Sequence, residues 1–293
     1  MNFKDGVLCT LHVSRWSGAK KLDASDLGLN PQDIPEFMRL GRKLLIPPEE
    51  RNVFIQIEQN ARNNLERESF PFPVGGARFI PRNRLLQVDQ TLRQYKDEYQ
   101  NAVDSFMSRY QLIRETMLQR YPEHRDKLEP FYPAVFWVQR SFGFSWTVFE
   151  IGETGIREGE TAEAYAEFRK NLHDQFDKFL GEVVIDLRYQ VQETCAKLAQ
   201  KIVRGDVLTE SSLRSVRGII EKFDNLNFIG DTRIETELNR LRETLMGVSA
   251  QNLKESEDLR HNLGSMAEKI SKEAADISDI STVTGGYKRR LEL

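Results

Sequence analysis

Between Leu85 and Tyr121 apolar residues recur with one period that only one local structure suits. Leu85, Val88, Leu92, Tyr95, Tyr99, Val103, Phe106, Tyr110, Ile113, Met117 and Tyr121 cover 36 positions at a mean step of 3.6 residues. That is the repeat of a straight α-helix rather than the 3.5 of a left-handed coiled coil, and such a helix is roughly 55 Å long. Pro122 ends it, because the residue before a proline is pushed out of helical conformation. A second stripe, Phe168, Leu172, Phe176, Phe179, Val183, Leu187, Val191, Cys195, Leu198 and Ile202, predicts another helix of more than thirty residues. The two are expected to pack antiparallel.

Strand patterns flank them. From Gly6 to Trp16 the period is two, with Val7, Cys9, Leu11 and Val13 on one face and Leu8, Thr10, His12 and Ser14 on the other, a strand covered on one side. Ser17-Gly18 ends it. Leu44-Leu45-Ile46 suits a second strand, and Pro48 suits the first position of a helix of about twenty residues carrying Val53, Phe54, Ile57, Ala61 and Leu65. Phe70-Pro71-Phe72-Pro73 stops that helix, and Val74-Gly75-Gly76-Ala77-Arg78-Phe79-Ile80-Pro81 reads as a glycine turn and short strand, not a phosphate loop, since no Lys-Ser/Thr follows. Phe142, Phe144, Trp146 and Val148 alternate with small residues and predict a further strand.

After Gly205, Thr209 or Ser211 serves as N-cap for a helix carrying Leu213, Val216, Ile220 and Phe223. A last helical tract from about Asp231 to Ser278 carries Leu238, Leu241, Leu245, Val248, Leu259, Leu263, Met266, Ile270 and Ile277 on a charged surface that suits a coiled-coil face. Residues 209–248 are expected to pack within the chain, and 250–280 to form a seam for another molecule. Gly285-Gly286 is expected to release a basic tail, Lys288-Arg289-Arg290.

The charge balance, 42 cations against 45 anions in 293 residues, gives no global attraction to polyanions or membranes. Cys9 and Cys195 are too few for a disulfide framework and are expected to be reduced and buried. The N-terminus lacks signal-peptide character and no apolar run reaches membrane-helix length, which points to a cytoplasmic protein. His12, His124, His173 and His261 are scattered and no Cys-x-x-Cys exists, so no metal or other cofactor is expected; the His173-Asp174 and Asp177 grouping is ordinary for a charged helix. Gly152 to Gly159 lacks Walker spacing and reads as a turn, and no nucleophile constellation marks an enzyme.

Two candidate surfaces remain. Arg15, Lys20 and Lys21 surround Trp16, while Arg78, Arg82, Arg84 and Arg93 cluster with Phe79; cations on phosphates and rings on bases would bind nucleic acid. The alternative is that Trp16 and Phe79 are core residues and the arginines pair with Asp89, Glu66 or Glu68. For protein interaction the candidates are Trp16, Leu259, Leu263, Met266 and Ile270.

Trp16-Ser17-Gly18, Lys20-Lys21-Leu22, Asp26-Leu27-Gly28 and Gly75-Gly76-Ala77-Arg78-Phe79-Ile80-Pro81 resemble the DUF3150 family, a bacterial and phage family of unknown function. The resemblance covers roughly the first 120 residues, with support at Phe142-Gly143-Phe144. Phe70-Pro71-Phe72-Pro73 departs from the simplest family form, and no motif of the C-terminal half matches. The resemblance implies a setting on phages, plasmids or integrative elements, near a MoxR-like AAA+ ATPase and a von Willebrand A-like protein, and it brings no catalytic residues.

Together these features predict a mainly α, elongated protein with a small α+β head from residues 1–81 and 131–151. A long antiparallel helical pair over 82–122 and 160–204, C-terminal helices over 207–281 and a flexible basic tail over 282–293 complete it. The expected role is a non-enzymatic interaction subunit that binds copies of itself or an ATPase. A DNA- or RNA-binding role in replication, recombination or defence is the alternative.

Overall fold

The computed structural model describes residues 5–28, 30, 32, 34–35, 40–150 and 162–291. In chain order its elements are β1 (Gly6–Ser14), β2 (Ala19–Lys21), β3 (Arg42–Leu44), α1 (Pro48–Arg67), β4 (Phe70–Pro71), β5 (Arg78–Pro81), α2 (Leu85–Arg120), α3 (Arg125–Leu128), α4 (Val135–Arg140) and β6 (Gly143–Phe149). Then follow α5 (Ala162–Val203), α6 (Glu210–Leu226), α7 (Thr232–Leu245), α8 (Ala250–Glu255), α9 (Glu257–Ala275) and α10 (Ile280–Leu291). The protein is mainly α with a small antiparallel sheet in the order β4-β5-β1-β6, plus a two-stranded ribbon of β2 and β3. The turn expected at Gly152 to Gly159, and the side chains of Phe168, Leu172, Arg289 and Arg290, lie outside the described residues.

The chain divides into two compact units. Unit 1 comprises Met1–Leu8, Glu66–Leu85 and Phe149–Leu293; unit 2 comprises Cys9–Leu65 and Leu86–Val148. The two long helices fall in different units, α2 from Leu86 onward in unit 2 and α5 in unit 1. Phe106 and Tyr110 of α2 pack on Trp16, and Phe106 also meets Phe54 and Phe142, a ring cluster that closes the interior of unit 2. The Tyr99 hydroxyl donates to the Ser14 carbonyl at 2.6 Å and the Tyr110 hydroxyl to the Pro133 carbonyl at 2.8 Å, so two polar tips on the apolar stripe are satisfied by backbone.

The alternation of β1 holds in unit 2, where Cys9 and Leu11 are buried while His12 and Ser14 are exposed. Leu8, expected on the open face, belongs instead to the core of unit 1. Gly18, in the turn between β1 and β2, has φ +59°, and a β-carbon there would come within 2.5 Å of the Ile46 side chain. That combination of backbone angle and close approach requires glycine.

In unit 1, α5 packs chiefly on α9 and α6. The α9 pairing is antiparallel: Gly264 lies on Ile202, and the Asp276 carbonyl after α9 accepts from Arg188 of α5. A β-carbon at Gly264 would stand 2.9 Å from Ile202, and Ala267 and Ala274 are also buried, so small residues let the two helices approach closely. Thr209 caps α6, its hydroxyl accepting from the Ser212 N–H. The tract expected as one helix from Asp231 is three, broken where Gly247 turns at φ +70° and again at Ser256, whose hydroxyl caps α9.

Two expectations for the C-terminus are corrected. Leu263 and Ile270 are buried in the core of unit 1, with Leu259 and Met266 packed against it, so the 250–280 stripe is covered by α5 and α7 within the chain. Nor do Gly285 and Gly286 release a tail; they lie inside α10. Each glycine costs a helix about 1 kcal/mol relative to alanine. Ile280, Val283, Thr284 and Tyr287 nonetheless recur at helical spacing, Tyr287 is buried against Phe228, and Lys288 bridges Asp177 at 2.5 Å.

Candidate interaction surfaces

Four of the cations singled out from sequence, Arg15, Arg82, Arg84 and Arg93, are paired with carboxylates. Within unit 1, Arg84 grips Glu68 at 2.6 Å with its side chain mostly covered, and Arg82 pairs with Glu150 at 2.7 Å in the open. Arg78 donates to the Ser69 hydroxyl at 2.7 Å and to the carbonyls of Glu66 and Ser69, closing the chain after α1; burial lowers its pKa, while Glu66 and Asp186 oppose that shift. Within unit 2, Arg93 pairs with Asp89 and Arg15 with Glu58. Phe79 is a core ring and Trp16 is half-buried, packed on Phe106 and Tyr110. The pairing alternative therefore describes Arg84 and Arg93, with Glu66 contributing to Arg78 through its carbonyl.

Lys20 and Lys21 stand apart from that pattern. In the β2–β3 ribbon Lys20 faces Lys43 and Lys21 faces Arg42, and Lys20, Lys21 and Arg42 are all exposed. Asp26 bonds Lys43 at 2.8 Å and compensates the first pair. Like charges directly opposite destabilise a ladder, so the second pair is a local cost.

The most deeply buried charge among the described residues is marked by no sequence motif. Arg188 is 0% exposed on α5. Its guanidinium donates to Asp231 at 2.6 and 3.1 Å, to Asp279 at 2.6 and 3.2 Å, and to the Asp276 carbonyl at 2.5 Å. Burial works against its charge, but the bonds it donates to Asp231 and Asp279 overcome that and hold its pKa above the ordinary arginine value. Asp231 thus spends its carboxylate on Arg188 rather than on capping α7, where it makes no side-chain cap bond. Arg233 adds bonds to Asp276 and Asp279. The Arg188 guanidinium thus bonds acceptors through Nε and both terminal nitrogens, which makes the cluster a clamp between α5 and the chain at the starts of α7 and α10.

All four histidines are exposed, and the described residues hold no group of three metal-ligating side chains. Burial first, and Asp89 second, push the Cys9 thiol up to about 11; burial pushes Cys195 up to about 12, so both are poor nucleophiles at neutral pH. A cleft of about 390 Å³ opens between α6 and α7 on Ile220, Leu245 and Met246. Its rim arginines are already bonded, Arg217 to the Val248 carbonyl and Arg242 to Asp224.

Unit 2 does present one exposed aromatic group. Pro130 to Val148 is a nineteen-residue run whose single charge is Arg140, and within it α4 turns three apolar side chains outward. Val135 is exposed, Phe136 is 57% and Trp137 62% exposed, and the two rings meet edge-on at 5.3 Å. Val138, the next residue, is buried and anchors the helix. The Arg140 guanidinium lies over Phe136 at 5.4 Å.

The family model described as "Protein of unknown function (DUF3150)" matches residues 3–268. The chain belongs to the DUF3150 family. The match runs through both units and well beyond the N-terminal blocks that carry the resemblance in sequence, reaching into α9, so the C-terminal half is family sequence too. No curated protein and no solved structure matches this DUF3150 chain. No described helix is long and apolar enough to cross a membrane.

Proposed function

We propose that this DUF3150 protein is a non-enzymatic interaction subunit of a cytoplasmic multiprotein system on a phage or other mobile element. Its partners are further copies of itself and a MoxR-like AAA+ ATPase, with the antiparallel α5–α9 pair serving as a coiled-coil-like strut. The observation that carries this reading is the Val135-Phe136-Trp137 run. Three adjacent apolar side chains in water, two of them large rings, are the kind of residue that anchors protein interfaces. The pairing of Arg84 with Glu68 and of Arg188 with Asp231 and Asp279 also supports it, because those two covered cations are already compensated within the chain.

A second reading, binding of DNA or RNA, draws on the exposed Lys20, Lys21 and Arg42 of the ribbon. Light scattering after size exclusion, at low and moderate salt and with a mixed single- and double-stranded DNA ladder, separates the two. A defined oligomer, or a stoichiometric complex with the purified ATPase, that ignores DNA is the expected result. A DNA-dependent shift that vanishes with salt would overturn it in favour of the ribbon.

A further inference from the structure

The strand β6 ends the sheet, with β1 on one side and no strand on the other among the described residues. Such an edge offers a row of unpaired N–H and C=O groups, and proteins ordinarily protect one by making it short, charged, proline-bearing or covered. β6 has none of the first three protections. It is seven residues long, Gly143-Phe144-Ser145-Trp146-Thr147-Val148-Phe149, with no charge and no proline. Nor is it well covered: Ser145, Thr147, Val148 and Phe149 are all exposed, so toward its end both faces of the strand meet water. On the helix side Phe144 packs on Tyr99 and the Trp146 indole donates to Asp89, both on α2, which fixes which face each residue takes. Ser145 and Thr147 alternate with Phe144 and Trp146 and are exposed, which puts them on the open face.

We infer that this edge pairs, antiparallel and in register about Trp146, with the β6 edge of a second copy of the chain. Symmetry and chemistry both select that occupant. A two-fold axis perpendicular to a sheet maps each residue onto its own kind, and full overlap of a strand running from 143 to 149 puts the axis at Trp146. Phe144 then faces Val148 of the second copy, an aromatic against a β-branched residue, and Ser145 faces Thr147, a hydroxyl pair; both are favourable cross-strand combinations. A strand that pairs with itself brings any charge it carries near an equal one, and β6 carries none. Joining two such edges forms about six to eight backbone hydrogen bonds and leaves a continuous sheet. This deepens the interaction-subunit reading and rests on it, by naming one surface and one partner.

The test uses exposed positions so that the monomer fold is retained. The double variant S145K/T147K places introduced lysines opposite each other twice across the two-fold, whereas S145E/T147E does the same with carboxylates. Light scattering over a dilution series should show wild type as a dimer, each variant alone as a monomer with an unchanged far-ultraviolet dichroism spectrum, and an equimolar mixture of the two variants as a dimer again, since each lysine then faces a glutamate. A wild type that is monomeric at every concentration overturns the inference. A dimer that survives S145K/T147K also overturns it, while leaving the interaction-subunit reading standing on a different surface.

Discussion

In unit 1 the face of α5 that carries Val184, Arg188, Val191 and Cys195 is covered along its length, and even its cation is enclosed by Asp231 and Asp279. In unit 2 the chain from Pro130 to Val148, whose single charge is Arg140, puts Val135, Phe136 and Trp137 in water and leaves β6 with an open edge among the described residues. Isolated exposed apolar residues occur in unit 1 as well, Val203 and Met246 among them, and need no partner to explain them. The difference is adjacency. Unit 1 directs its unusual residues at itself, and unit 2 presents them to something else, so stability should be most sensitive in the first and association in the second.

The sharpest way to break that contrast is Arg188→Ala. It strands a buried carboxylate at Asp231 and removes a partner of Asp279, a loss of about 3–5 kcal/mol by analogy with other broken buried pairs. Urea denaturation should show a large fall in midpoint; a fall under about 1 kcal/mol would mean the clamp is not closed as described. Phe106→Ala in the ring cluster of unit 2 should cost about the same, 3–5 kcal/mol, because it empties a fully packed site. Trp137→Ala should change stability by no more than about 0.5 kcal/mol, since its ring is mostly in water, yet should weaken complex formation in light scattering. If Trp137→Ala proved as costly to folding as Phe106→Ala, the exposed patch would be part of a core and the contrast between units would fail.

The clamp also makes a pH prediction. Hydrogen bonds from Arg188 hold the Asp279 carboxyl below its ordinary 3.8 despite partial burial, and bonds from Ser278 and Arg233 lower Asp276 strongly. A carboxyl with a lowered pKa in the folded state binds fewer protons there than when unfolded. Its stabilisation is therefore present above about pH 4 and is lost as pH falls through the folded value. Urea midpoints should fall from pH 7 to pH 3, and Asp279→Asn should flatten that dependence; an unchanged slope would show that Asp279 is not held as the geometry implies.

Local signals in the sequence were readable to within a residue or two. The 3.6-residue stripe ends where α2 ends, Thr209 is the cap of α6, and the alternation at 142–148 is β6. What could not be read was which surface covers which. The stripe at Leu259, Leu263, Met266 and Ile270 has the same spacing whether its partner is another molecule or α5, and only the small residues Gly264 and Ala267 hinted at a close helix neighbour. α10 was obscured by two glycines because breaker rules weigh local propensity and cannot see the burial of Tyr287. Arg188 did leave a trace: it falls in helical step with Val184, Val191 and Cys195, a cation in an apolar stripe, which calls for a buried partner. The ion pairs of Arg15, Arg82 and Arg84 span 16 to 68 residues in sequence, beyond any local rule.

A small expected effect concerns the ribbon of unit 2. Lys21 stands directly opposite Arg42 with both exposed, and a carboxylate at either position would turn a repulsive pair into an attractive one. Lys21→Glu should therefore raise stability slightly, by about 0.2–1 kcal/mol, an effect that shrinks as salt screens it. A stabilising reversal would mean that the wild-type pair is carried at a cost to the fold. Retention of DNA on the wild type but not on Lys21→Glu would then assign that cost to phosphate binding, with the dependence of log affinity on log salt falling by about 0.9 for each phosphate that is no longer neutralised. If instead the variant is destabilised, Lys21 is already compensated within unit 2, and the ribbon joins the other arginines and lysines as part of the fold rather than an outward-facing charge.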